Sequence, residues 1–100
     1  MRVVWSPLAL AQAEEATDYI AAERPATAAK WLDGLMDLVE RLPRFPRKGR
    51  IVPEVGRSTI REVLYGRYRI IYRLDPKQIS IIAVRHQRRR FTVNDLEEGQ

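Results

Sequence analysis

Three residues have the side-chain types that metal-free cleavage of a phosphodiester requires: Glu54, Arg69 and His86. A carboxylate such as Glu54 can take a proton from an attacking hydroxyl, and a histidine near neutral pKa can give one to a leaving oxygen. An arginine can hold a phosphate by paired hydrogen bonds and stabilise charge that develops on it. RNA carries its own nucleophile, the 2′-OH, whereas DNA does not, so such a set would cut RNA. Each residue also has a plainer use. Glu54 can tie its loop to Arg57 or Arg61. Arg69 and Arg73 flank the position opposite Glu62, where a cross-strand ion-pair ladder would account for all three. A lone histidine at a strand end is more often a packing residue than a catalyst.

Eight further cations are candidates for gripping nucleic acid or another target: Lys48, Arg50, Arg61, Arg67, Arg73, Arg88, Arg89 and Arg90. Their background is strongly asymmetric. Residues 1–40 carry a net charge of −4, residues 41–90 carry +12 and the last ten carry −3, giving +5 overall. Positive charge gathered in one half points to a polyanionic partner, nucleic acid or an acidic protein. The absence of cysteine removes disulfides, thiol catalysis and cysteine-ligated metals, and one histidine leaves little for a metal site. Neither metal nor cofactor is expected. No apolar run approaches the roughly 20 residues that span a bilayer, and no signal-peptide pattern opens the chain, so the expectation is a cytoplasmic protein without a membrane partner.

The elements that must position these residues follow from periodicity. Arg2–Trp5 suits a strand; Ser6 and Pro7 then supply an N-cap and a first helical residue. Ala9, Ala13, Ala16 and Ile20 recur at helical spacing to about Glu23. Arg24-Pro25 breaks that helix and opens another, with Ala28, Trp31, Leu32, Leu35, Leu38, Val39 and Leu42 on one stripe and Pro43 at its end. Residues 43–58 hold three prolines, two glycines and five arginines or lysines, which reads as a long basic loop. Thr59–Tyr65, Tyr68–Leu74 and Ile79–Arg85 read as three strands, the last apolar enough for an interior position. Residues 91–100 are expected to be a flexible acidic tail with at most one helical turn.

Pairing Tyr65 with Tyr68 and Leu74 with Ile79 sorts the side chains by period 2. One face collects Val63, Tyr65, Tyr68, Ile70, Tyr72, Leu74, Ile79, Ile81 and Ala83, and the helices must cover it. The other collects Ile60, Glu62, Leu64, Arg67, Arg69, Ile71, Arg73, Ser80, Ile82, Val84 and His86. On this register the second face is open and half cationic, and His86 lies diagonally across from Arg69.

The order strand, helix hairpin, basic loop and three strands, with Gly49–Glu54, Ile60–Val63, Tyr68–Arg73 and Ile81–His86 followed by arginines, resembles the RelE/ParE superfamily of toxins from bacterial type II toxin–antitoxin modules. The resemblance implies one α+β domain over residues 1–100, an antiparallel helix hairpin packed with an N-terminal strand on a small, mainly antiparallel sheet. It implies a growth-arresting toxin, of the kind that serves plasmid stabilization, neutralised by a cognate acidic antitoxin. Two activities divide the superfamily. ParE-like members inhibit DNA gyrase without nucleolytic chemistry, whereas RelE/YoeB-like members cut mRNA on the ribosome. For the second activity, Glu54, Arg69 and His86 stand at plausible counterparts of the catalytic groups. The terminal tyrosine of those ribonucleases is missing: Phe91 follows the arginines, and no tyrosine lies beyond Tyr72. Histidine followed by arginines is closer to the ParE-like ending, so gyrase is the expected target and ribosome-bound mRNA the alternative.

Overall fold

A computed structural model describes residues 1–99. The chain runs β1 (Arg2–Trp5), α1 (Pro7–Ala21), α2 (Pro25–Arg41), one 3₁₀ turn (Leu42–Arg44), β2 (Arg50–Ile51), β3 (Ile60–Tyr65), β4 (Tyr68–Leu74), β5 (Gln78–His86) and α3 (Val93–Gly99). The five strands form one sheet in the order β1-β5-β4-β3-β2. Only the β1–β5 pair is parallel; the others are antiparallel. This is the expected α+β architecture, with a two-residue strand inside the basic loop that periodicity does not reveal.

Local chemistry explains the boundaries. The Ser6 hydroxyl accepts a hydrogen bond from the Ala9 amide (3.0 Å) and Pro7 begins the helix, where its missing N–H costs nothing. β3 and β4 are joined by Gly66-Arg67, and Gly66 has φ of +58°, a conformation that favours glycine at the first central position of a tight hairpin turn. Ala9, Ala13 and Ala16 are buried, which lets α1 lie close against β5. β1 stops at Trp5, so the edge of β5 beyond Ile81 would be left without a partner strand. α1 and its cap supply the missing partners: the Ser6 hydroxyl donates to the Ile82 carbonyl (3.4 Å), and the Gln12 side chain accepts from the Val84 amide (2.8 Å).

Both faces of the sheet carry a core. On one, Ala9, Ala13, Leu35, Val39 and Leu42 pack on Val63, Ile70, Tyr72, Ile79, Ile81 and Val84. On the other, Phe91 and Leu96 pack with Val52 on Ile60, Ile71, Ile82 and Ala83. The second core overturns two expectations. The acidic segment after Arg90 is a packed helix: Phe91 is fully buried and Leu96 is 2% exposed. Its start is a capping box, with the Thr92 amide donating to Asp95 (2.8 Å) and the Asp95 amide to the Thr92 hydroxyl (3.2 Å). Gln100, at the end of the expected tail, lies outside the described residues.

The second correction concerns register. Tyr65 does pair with Tyr68, and Leu74 with Ile79, but a β-bulge interrupts β5: Tyr72 pairs with Ile81 and Ile71 with Ala83, leaving Ile82 unpaired. One extra residue exchanges the faces of everything after it. Val84 therefore joins the helix-side core and Ala83 the opposite one, the reverse of simple alternation. His86 follows Val84 to the helix side.

Removing the Phe91 ring should leave a cavity in the second core. We expect Phe91→Ala to lower unfolding stability in urea by about 3–5 kcal/mol. A change within about 0.5 kcal/mol, the usual size for a solvated position, would mean that the segment does not pack.

Candidate functional site

The chemistry-bearing residues converge on Arg69 in the middle of β4. It is 5% exposed and faces Glu62 of β3, which is 2% exposed. Arg69 Nε and Nη2 donate to the two Glu62 oxygens (2.5 and 3.2 Å). Nη1 and Nη2 donate to the two oxygens of Glu54 (2.8 and 2.9 Å). Nη1 also donates to the Arg89 carbonyl (3.1 Å). These contacts occupy all the N–H groups a guanidinium offers. Glu62 in turn accepts from Arg50 Nε (2.9 Å), and Glu54 from the Phe91 amide (2.9 Å). Two carboxylates and two guanidiniums thus form a neutral cluster that joins β2, β3, β4, the loop after β2 and the C-terminal segment.

This geometry shifts both charges in the stabilising direction. The Arg69 hydrogen bonds outweigh the cost of burial and, with the Phe91 amide, lower the Glu54 carboxyl from its ordinary 4.5 to about 2. Glu54 and Glu62 together raise the Arg69 guanidinium against its own desolvation. A carboxylate with a pKa about 2 is a weak proton acceptor at neutral pH, and a guanidinium without a free N–H has nothing to offer a phosphate.

The other candidates lie apart from this cluster. His86 stands on the opposite face, its ring 5.6 Å from that of Tyr68 in a T-shaped arrangement, with Nδ1 accepting from the Arg88 amide (3.2 Å). It lines a cleft of about 610 Å³ with Tyr19, Trp31, Tyr68, Arg67 and Arg89. The diagonal contact between Arg69 and His86 expected from alternation does not exist, because the bulge turns His86 away. The ion-pair ladder is half right: Glu62 binds Arg69, but Arg73 binds Asp75 (2.8 Å). Glu54 pairs with Arg69 rather than with Arg57 or Arg61. Arg61 clamps the basic loop through the carbonyls of Ser58 and Gly49 (both 2.9 Å). Lys48, Arg67, Arg88, Arg89 and Arg90 are exposed, and the Arg50 side chain is 64% exposed despite its contact with Glu62.

Two contributors were not foreseen. Phe91 packs in the second core beside the cluster, its amide on Glu54, and Asp95 holds Arg85 (2.8 Å) across the second face. Burial pushes the Asp95 carboxyl up, but the Thr92 amide and hydroxyl and Arg85 outweigh it and hold the group below its ordinary range. The Thr92-x-x-Asp95 spacing before Leu96 was a readable helix-start signal for this segment.

The fold is a small five-stranded sheet with a helix hairpin on one face and the C-terminal segment on the other. A family model for the ParE toxin of type II toxin–antitoxin systems, parDE, matches residues 3–91. The chain belongs to this ParE toxin family and is the toxin component of a type II toxin–antitoxin system. Among solved structures it is similar to a chain from a chromosomal ParDE toxin–antitoxin system of P. aeruginosa. That likeness has a TM-score of 0.73 at 19% identity, covering 86% of this chain and 95% of that one, and it shows the shared fold. A search of curated proteins found no match. Among the described residues, no helix is long and apolar enough to cross a membrane.

The cluster makes two testable statements. Arg69→Ala should destabilise the protein by about 3–5 kcal/mol, because it leaves two carboxylates facing each other without their cation; chemical denaturation measures it. The lowered Glu54 carboxyl contributes stability that is present above its ordinary value of 4.5 and is lost as pH falls toward about 2. Acid titration should therefore remove on the order of 2 kcal/mol over that window, and Glu54→Gln should abolish this part of the pH dependence.

Proposed function

We propose that this toxin arrests growth by binding and inhibiting DNA gyrase in the cytoplasm, without nucleolytic chemistry, and that a cognate acidic antitoxin neutralises it. The observation that carries the reading is the state of Arg69: every N–H is committed to Glu54, Glu62 or the Arg89 carbonyl. The alternative RelE/YoeB-like ribonuclease needs Arg69 on a phosphate, Glu54 as a base and His86 nearby as an acid. Here hydrogen bonds from Arg69 hold the Glu54 carboxyl well below its ordinary range, which makes it a poor base, and His86 stands on the other side of the sheet. Membership of the ParE toxin family points the same way.

An acidic antitoxin fits the charge and the edges. Residues 41–90 carry +12, and β1 is an edge strand of the sheet, the kind of element to which a partner chain can add. Tyr19, 80% exposed beside Trp31 and Tyr68, supplies apolar area that a partner would cover.

The test compares two assays on the purified toxin. Gyrase supercoiling should stop in its presence, and His86→Ala should inhibit about as well as wild type. Primer extension on programmed ribosomes should show an intact message. A toxin-dependent cut in the decoding site that disappears in His86→Ala would establish the ribonuclease instead.

A further inference from the structure

The basic loop between α2 and β2 has a feature that the Arg69 cluster does not account for: an exposed aromatic ring set among cations. Phe45 is 70% exposed, on a segment whose neighbours Arg44, Arg47 and Lys48 are exposed as well. None of these three cations takes part in an ion pair among the described residues. The backbone that carries the ring is held in place. The fully buried Tyr72 donates its hydroxyl to the Pro46 carbonyl (2.8 Å) and accepts from the Gly49 amide (3.0 Å). Arg61 donates to the Gly49 carbonyl (2.9 Å), and the Lys48 amide closes a turn on the Phe45 carbonyl (2.9 Å). A Cβ at position 49 would stand 2.6 Å from the Tyr72 hydroxyl and 2.5 Å from the Glu62 carbonyl oxygen, so only glycine permits this approach. The ring lines an open cleft of about 940 Å³ with Met1, Pro46, Leu74, the three cations and Asp75, whose carboxylate is paired with Arg73.

We propose that this loop is a binding platform for single-stranded nucleic acid, with an unpaired base stacked on Phe45 and phosphates held by Arg44, Arg47 and Lys48. Its chemistry is that of sequence-tolerant strand binders: an aromatic face, which every base can stack on, set among cations that follow the backbone. Charge complementarity favours a polyanion. An acidic peptide added as a strand is the weaker fit, because strand addition draws on main-chain hydrogen bonds and leaves the exposed Phe45 ring unused. Here the Phe45, Lys48, Gly49, Leu74 and Asp75 amides are already used internally, and Pro43 and Pro46 have none. The platform lies apart from the Arg69 cluster, and the inference does not depend on which target the toxin inhibits.

The experiment is fluorescence anisotropy of a labelled oligothymidylate titrated with the full-length toxin. Wild type should bind with an affinity that falls steeply with salt. Phe45→Ala should weaken binding about tenfold at fixed salt with an unchanged salt slope, and Phe45→Trp should restore it. The double substitution Arg47→Ala/Lys48→Ala should instead flatten the salt slope. These side chains are exposed, and an unchanged far-UV circular dichroism spectrum would confirm that each variant folds. Equal binding by wild type and Phe45→Ala would overturn the proposal. So would tighter binding of the matching duplex, which cannot stack an unpaired base, or of a labelled peptide of alternating glutamate and leucine.

Discussion

A guanidinium buried between two carboxylates is the constraint on which the rest of this protein depends. Moving Arg69 and Glu62 out of water costs several kcal/mol each, and only saturated hydrogen bonding compensates for it. The chain meets that demand from four directions: Glu62 on the neighbouring strand, Glu54 on the loop after β2, the Arg89 carbonyl and, through Glu54, the Phe91 amide. Each contribution also fixes the segment that makes it. The loop is drawn onto the sheet, and the C-terminal segment is drawn over the loop. Phe91 and Leu96 then find their apolar seat on Ile60, Ile71, Ile82 and Ala83.

This explains why a face that alternation assigns to solvent is a second core. Arg69, read from its strand position, belongs to an exposed cationic surface. Its burial follows from charge neutralisation by residues distant in sequence, 7 and 15 positions away for Glu62 and Glu54. The bulge in β5 then separates His86 from the cluster and places it among Tyr68, Trp31 and Tyr19. A set of side chains suited to phosphodiester chemistry becomes a structural tie on one face and an aromatic cleft on the other. Both features are what the proposed reading, a toxin that works by occupying its target, rests on.

Much of the scaffold was legible because its signals are local. Ser6-Pro7, Arg24-Pro25 and Pro43 mark helix ends by backbone chemistry, Gly66 marks the hairpin, and the α2 stripe gives its buried face. The pairings of Tyr65 with Tyr68 and of Leu74 with Ile79 were legible for the same reason. The face of His86 was not. A single unpaired residue such as Ile82 leaves no mark in a run of apolar side chains, Ile81 to Val84, that is buried on both sides. Nor was the fate of residues 91–99: their acidic composition suggested solvent, while Phe91, Leu96 and the Thr92–Asp95 cap carried the contrary information in four positions.

The claim that Arg69 and Glu54 act as a tie for the C-terminal segment is tested most directly by amide hydrogen exchange at Phe91. Its N–H ends on the Glu54 carboxylate and lies under the segment's own packing. The account predicts strong protection of this amide in the wild-type protein and its loss in Glu54→Ala, while the central strand amide of Ile71 stays protected in both. Exchange at Phe91 as fast as in an unstructured peptide, with wild-type protein otherwise folded, would contradict it.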